Sequence, residues 1–162
     1  MRPSIRQATP NDAQIVADVL IEAARWLEQR GMPLWREDEL SAPRIVADID
    51  AGQFFLAERG GKAAGVVKFQ LEDELFWPDV PPNESAFVHR LAVRRAFAGG
   101  DVSKALLEWA VERARSLNRR FVRLDCDASR TKLKALYEGF GFVHHSDRQV
   151  GPYFVSRYQY RV

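Results

Sequence analysis

Apolar residues at Val16, Val19, Leu20, Ala23 and Leu27 recur at the spacing of one helical face, with Asn11 and Asp12 able to cap the helix and Gly31 able to end it. A second helix is predicted after Ser41, with Pro43 in its first turn, a buried stripe of Ile45, Val46 and Ile49, and Gly52 as its stop. The period then shortens to two. Residues 54–58 and 62–70 flank the pair Gly60-Gly61, which accepts the positive φ angles of a tight hairpin turn. Residues 86–93 alternate, placing Phe87, His89, Leu91 and Val93 on one face and Val88, Arg90 and Ala92 on the other. Helical spacing returns at Val102, Leu106, Trp109, Arg113 and Leu117, followed by a strand over 121–126. Leu133, Leu136, Tyr137 and Phe140 fit a short helix ended by Gly141, and 142–150 with 154–161 read as a closing antiparallel pair. The prolines of 77–85 exclude regular structure there. With a short strand over 5–7, the predicted order is β-α-α-β-β-β-α-β-α-β-β, a mixed sheet with helices on its faces.

Composition narrows the class. A chain of 162 residues, 46% of them apolar, suits one α/β domain spanning 1–162. The 24 basic and 22 acidic side chains leave a net charge of +2, which supplies no broad positive field for a nucleic-acid backbone. Cys126 is the single cysteine, so no intrachain disulfide forms and a reducing, cytoplasmic setting is expected. No apolar stretch has the length to span a bilayer, and the first residues lack the apolar core of a signal peptide. Neither a nucleic-acid nor a membrane partner is therefore expected, while a homodimer stays open.

Candidate chemistry centres on 91–107, LAVRRAFAGGDVSKALL, where a strand runs through a glycine-containing loop into an amphipathic helix. Glycine lets the backbone approach a ligand closely, and the unpaired N–H groups of a new helix attract phosphate oxygens. By itself this segment is explained equally well as a strand-to-helix turn in which glycine relieves steric strain. Taken together with LDCDASRTKLKALYEGFGF at 124–142, it resembles the GNAT family of N-acetyltransferases, and the element order is similar to that family along nearly the whole chain. VHRLAVRRAFAGG at 88–100 is especially similar to bacterial small-molecule members.

The resemblance implies a GNAT-type mixed, mostly antiparallel α/β fold and transfer of an acetyl or other acyl group from acetyl-CoA, or a related CoA thioester, to a small primary amine without a metal. It implies that Leu91, Ala92 and Val93 contact the pantetheine arm and that Ala98, Gly99, Gly100, Asp101, Val102 and Ser103 wrap the pyrophosphate. Three positions depart from the family's loop: Ala98 lacks a basic or amide side chain, Asp101 replaces a glycine, and Ser103 replaces a small apolar residue. A carboxylate at Asp101 repels a pyrophosphate, although an acid beside a helix N-terminus also serves as a cap. The departures at Ala98 and Asp101, with that at Arg130, motivate an alternative reading, a CoA-binding or protein-interaction module with impaired turnover. Arg130 stands where the family often has asparagine and could meet a CoA phosphate instead. Tyr137 occupies the family's general-acid position, where a phenol protonates the departing thiolate; without the resemblance it reads as an aromatic core residue.

Loop aromatics, Trp26, Trp35 and Trp77 among them, suit an apolar pocket wall that holds a cationic amine by cation-π attraction, and each also suits a sealed core or a subunit contact. His89 joins them as an acceptor-side candidate, with a partly buried, hydrogen-bonded histidine as its bland reading. Glu72, Asp73, Glu74 and Glu84 are open candidates for the base. His144-His145 lacks metal-ligand company, and Cys126 between two aspartates reads as core rather than nucleophile.

Overall fold

The period-two stretches are strands and the longer-period stretches helices in the computed structural model, which describes residues 2–162. In chain order they are β1 (Ser4–Gln7), α1 (Ala13–Gln29), α2 (Ala42–Asp50), β2 (Phe54–Arg59), β3 (Lys62–Gln70), β4 (Ser85–Val93), α3 (Val102–Ser116), β5 (Phe121–Asp127), α4 (Thr131–Phe140), β6 (Val143–Val150) and β7 (Tyr153–Arg161). The seven strands form one mixed, mostly antiparallel sheet in the order β1-β2-β3-β4-β5-β7-β6. The predicted order of elements is present, with shifts only at their ends. Three 3-10 turns, Pro10–Asp12, Glu37–Glu39 and Arg95–Phe97, have no counterpart in the sequence reading. Among the described residues, no helix is long and apolar enough to cross a membrane.

The chain divides into two compact units, Met1–Lys68 with Arg90–Trp109, and Phe69–His89 with Ala110–Val162. In the first, α1 and α2 bury Val16, Leu20, Ile45 and Ile49 against Phe54, Leu56 and Val66 of the β2–β3 hairpin. The hairpin turn has φ of 60° at Gly60 and 75° at Gly61, a pair of left-handed angles that the dipeptide takes up without steric cost. Gly65 matters for another reason: a Cβ there would lie 2.8 Å from the Ala92 carbonyl oxygen and 3.1 Å from a Val102 methyl, so its absence lets the end of β4 and the start of α3 approach β3.

In the second unit, β5 and β7 pair antiparallel from Phe121↔Arg161 to Asp127↔Val155 and enclose Leu124, Cys126 and Tyr158. The parallel register of β4 with β5 runs from Ser85↔Phe121 to Phe87↔Arg123, whereas β4 continues to Val93 and β5 to Asp127. Arg90 has a φ of 54°, rare for a residue with a long side chain, and this breaks the simple alternation expected of 86–93. Beyond it Ala92, not Leu91 or Val93, is the buried residue.

Candidate active site

The first unit holds the glycine loop. Leu91 and Val93 are half-buried, and residues 98–101 are exposed. Gly99 takes a φ of 76°, a left-handed angle that turns the chain toward α3. The Ala105 amide donates to the Asp101 carbonyl at 2.9 Å, so Asp101 caps α3 and the amides of Val102, Ser103 and Lys104 lie in its first turn, where no preceding helical carbonyl is available. Asp101 does not stand as a lone charge. Arg59 donates from Nη2 to its Oδ1 at 2.5 Å, and this hydrogen bond holds the carboxyl below its ordinary range. The positive end of α3 and the Arg59 guanidinium thus face an exposed loop, an arrangement able to receive an anion.

Two expected acceptor-side aromatics lie in the same unit. Trp26 lines a cleft of about 400 Å³ with Ile21, Glu22 and Arg95. The guanidinium carbons of Arg30 and Arg95 each lie 3.9 Å from the Trp26 ring centroid, so the face of this ring is already engaged by cations. Trp35 carries the Arg90 guanidinium at 5.2 Å, and Arg90 also reaches Glu39 at 3.7 Å.

The second unit brings three titratable side chains together. His89 on β4 shares a 2.8 Å hydrogen bond between Nε2 and Asp73 Oδ2, and the Phe76 amide donates to Asp73 Oδ1 at 3.0 Å. Asp125 on β5 completes the group, with one oxygen or nitrogen of each residue lying within 4.8 Å of the others. Asp125 Oδ2 is buried without a hydrogen-bond partner. Burial pushes the Asp125 carboxyl up to about 6; His89 opposes the rise, Asp73 adds to it, and Arg157 opposes it. Asp73 was among the acids open to the role of base, whereas Asp125 escaped the sequence reading. Its signal was a carboxylate set between the apolar Leu124 and Cys126.

Tyr137 and Arg130 are also in this unit. Tyr137 is 5% exposed, meets Phe142 edge-on at 5.9 Å between ring centroids and lies tilted to Tyr158 at 6.3 Å. Burial pushes its phenol upward, with Cys126 and Asp125 adding to the rise, so at neutral pH the hydroxyl keeps its proton and remains a donor. Gly141, at φ 123°, ends α4 directly after Phe140. Arg130 opens α4, its carbonyl accepting from the Lys134 amide at 3.0 Å. Cys126 is buried, and its thiol is pushed up to about 12 by that burial, which suits packing and not nucleophilic attack. Trp77, expected in a pocket wall, is 2% exposed. Arg157 lies 4.5 Å from its centroid, His145 packs on its edge at 5.1 Å, and Arg157 also grips Asp79 through 2.7 and 2.9 Å bonds. This anchors the 73–79 loop, and with it Asp73.

Comparison with known proteins agrees with this architecture. A family model described as the acetyltransferase (GNAT) family matches residues 20–142. The uncharacterized N-acetyltransferase YesJ of Bacillus subtilis strain 168 is 30% identical over 141 residues, covering 83% of this chain and 78% of the relative. A GNAT acetyltransferase from Listeria monocytogenes 4b F2365 superposes with a TM-score of 0.83 at 26% identity, over 99% of this chain and 95% of that one. The fold is also that of yncA from Salmonella typhimurium, solved with its cofactor acetyl-CoA, with a TM-score of 0.75 at 16% identity over 99% and 94% of the two chains. Family model, relative and fold agree: this chain belongs to the acetyltransferase (GNAT) family.

Proposed function

We propose that this protein transfers the acetyl group of acetyl-CoA to the primary amine of a small molecule, with residues 1–162 acting as one catalytic domain in the cytoplasm. The observation that carries the reading is the continuous run from Leu91 to Ser103, in which β4 passes through exposed Gly99 and Gly100 into the N-terminus of α3. The α3 amides and nearby Arg94, Arg95 and Lys104 supply donors and positive charge for the pyrophosphate, while the Leu91, Ala92 and Val93 backbone lies along the pantetheine arm. The Salmonella protein, which has the same fold, was solved with acetyl-CoA as its cofactor, and this supports the choice of donor.

Chemistry then needs three things of the chain. A backbone amide near Val93 steadies the oxyanion as the amine attacks the thioester carbonyl. Tyr137 gives its proton to the leaving thiolate. Trp26, Trp35 and Arg130 bound the acceptor and cofactor ends of the site. The alternative, a binding module with impaired turnover, drew on Ala98, Asp101 and Arg130; of these, Asp101 is compensated by its pairing with Arg59.

Isothermal titration with acetyl-CoA tests the reading directly, and the same ligand raises the melting temperature far more than adenosine does. Failure to bind acetyl-CoA at millimolar concentration sinks it.

A further inference from the structure

His89, Asp73 and Asp125 come from three separate segments, yet a polar atom of each lies within 4.8 Å of the others inside one unit. Their arrangement is graded. The Asp73 side chain is only 7% exposed and accepts at both oxygens, from the Phe76 amide and from His89. With Asp73 as acceptor, Nε2 of His89 carries its hydrogen and Nδ1 presents a lone pair. The His89 side chain is 20% exposed, the outermost of the bonded pair, with Phe76 beside it at 6.1 Å between ring centroids. Asp125 Oδ2 is buried and makes no hydrogen bond. Packing alone gives no reason to place an unsatisfied carboxylate oxygen between Leu124 and Cys126, because such a group destabilises the fold. Functional sites are where such costs persist.

We propose that His89, oriented by Asp73 and backed by the Asp125 carboxylate, whose Oδ2 has no hydrogen-bond partner, is the base that takes a proton from the acceptor ammonium. The proposal rests on the acyltransferase reading and supplies the base which that reading lacks. The ammonium N–H bond breaks, the proton passes to Nδ1 of His89, and the freed electron pair forms the new C–N bond at the thioester carbonyl. When the C–S bond breaks, Tyr137 protonates the thiolate, and the second proton of the acceptor nitrogen replaces the one Tyr137 gave. One proton, held first on His89, leaves to solvent in each turnover. Asp125 offsets the charge of the imidazolium, and Asp73 is a positioning residue. The charged groups acting on the Asp125 carboxyl are His89 from β4, Asp73 from the loop and Arg157, which stands opposite Asp125 on β7, while Cys126, the next residue on β5, lies on the other face of the strand.

Three full-length variants test this, His89→Gln, Asp125→Asn and Asp73→Asn, with 1,4-diaminobutane, tyramine and benzylamine as acceptors. For whichever amine the wild type acetylates, His89→Gln lowers kcat/KM about a hundredfold at pH 7, and the deficit closes as pH rises and the amine deprotonates in solution. Acetyl-CoA affinity, read by calorimetry, stays within about twofold. Asp125→Asn and Asp73→Asn give smaller losses, about tenfold, with the same convergence at high pH. A loss that is constant across pH, or unchanged turnover in His89→Gln, overturns the proposal. So does activity that vanishes on chelation and returns with a divalent cation, since the three side chains would then be metal ligands. A measurement independent of the acceptor is ¹³C titration of the Asp125 carboxyl, whose midpoint near 6 moves up in His89→Gln. A midpoint that does not move overturns the coupling on which the base depends. A wild type that fails to bind acetyl-CoA sinks the acyltransferase reading itself, and that failure is seen separately.

Discussion

Asp125→Asn is expected to stabilise the folded chain at neutral pH while slowing catalysis. The substitution keeps shape and volume, so no cavity opens, and the new amide has an acceptor within 4.8 Å in the Asp73 carboxylate. It removes a carboxyl raised from the ordinary 3.8 to about 6 by desolvation. A displacement of that size corresponds to about 3 kcal/mol against the ionised form. The sign follows from proton uptake. Between roughly pH 4 and pH 6 the folded state holds a proton that the unfolded state has released, so wild-type stability falls as pH rises through that window. Below it, the carboxyl is neutral in both states and the variant has no advantage. Above it, the whole difference is present, and for a chain of this length it amounts to roughly 6–12 °C in melting temperature. Thermal or urea unfolding of both proteins at a series of pH values gives the comparison. An advantage that is independent of pH, or an asparagine variant less stable than wild type at pH 7, refutes the reasoning.

Tyr137→Phe is expected to lower turnover about a hundredfold while leaving the calorimetric affinity for acetyl-CoA nearly unchanged, whereas unaltered turnover would assign this buried ring to packing alone. Asp101→Gly is expected to tighten acetyl-CoA binding by releasing Arg59 toward the pyrophosphate, and Arg59→Gln to weaken it by leaving Asp101 uncompensated; titrations at low and high salt check both, since each effect shrinks as salt screens it. Gly65→Ala places a methyl 2.8 Å from the Ala92 carbonyl oxygen, so a loss of about 1–3 kcal/mol in urea unfolding is expected, with weaker acetyl-CoA binding because β4 must shift. An unchanged midpoint and affinity would show that β3 and β4 move apart freely.

Local punctuation made most of the fold legible. Gly60-Gly61, Pro43, Gly52 and Gly141 act within a few residues of where they stand, and the elements they bound fall where the spacing predicts. Long-range effects were not legible. The left-handed Arg90 breaks the alternation of β4, although nothing in an arginine marks such a bend. Trp77 sits in a proline-rich stretch that resembles an open loop, yet Arg157, 80 positions along the chain, draws that stretch inward. Arg59 and Asp101 are 42 positions apart, so the charge that offsets the loop aspartate was hidden. His89 showed as a polar residue on one face of 86–93 and Asp125 only as a neighbour of Cys126, and their meeting with Asp73 required the fold.

The account stands or falls on acyl transfer. Incubating the protein with acetyl-CoA and the amine panel, and reading free thiol together with the mass of the amine, measures it directly. The account predicts that thiol appears only with both substrates, in equal amount to an amine heavier by one acetyl group. Bound acetyl-CoA with no thiol release from any primary amine would contradict it and leave a binding module in its place.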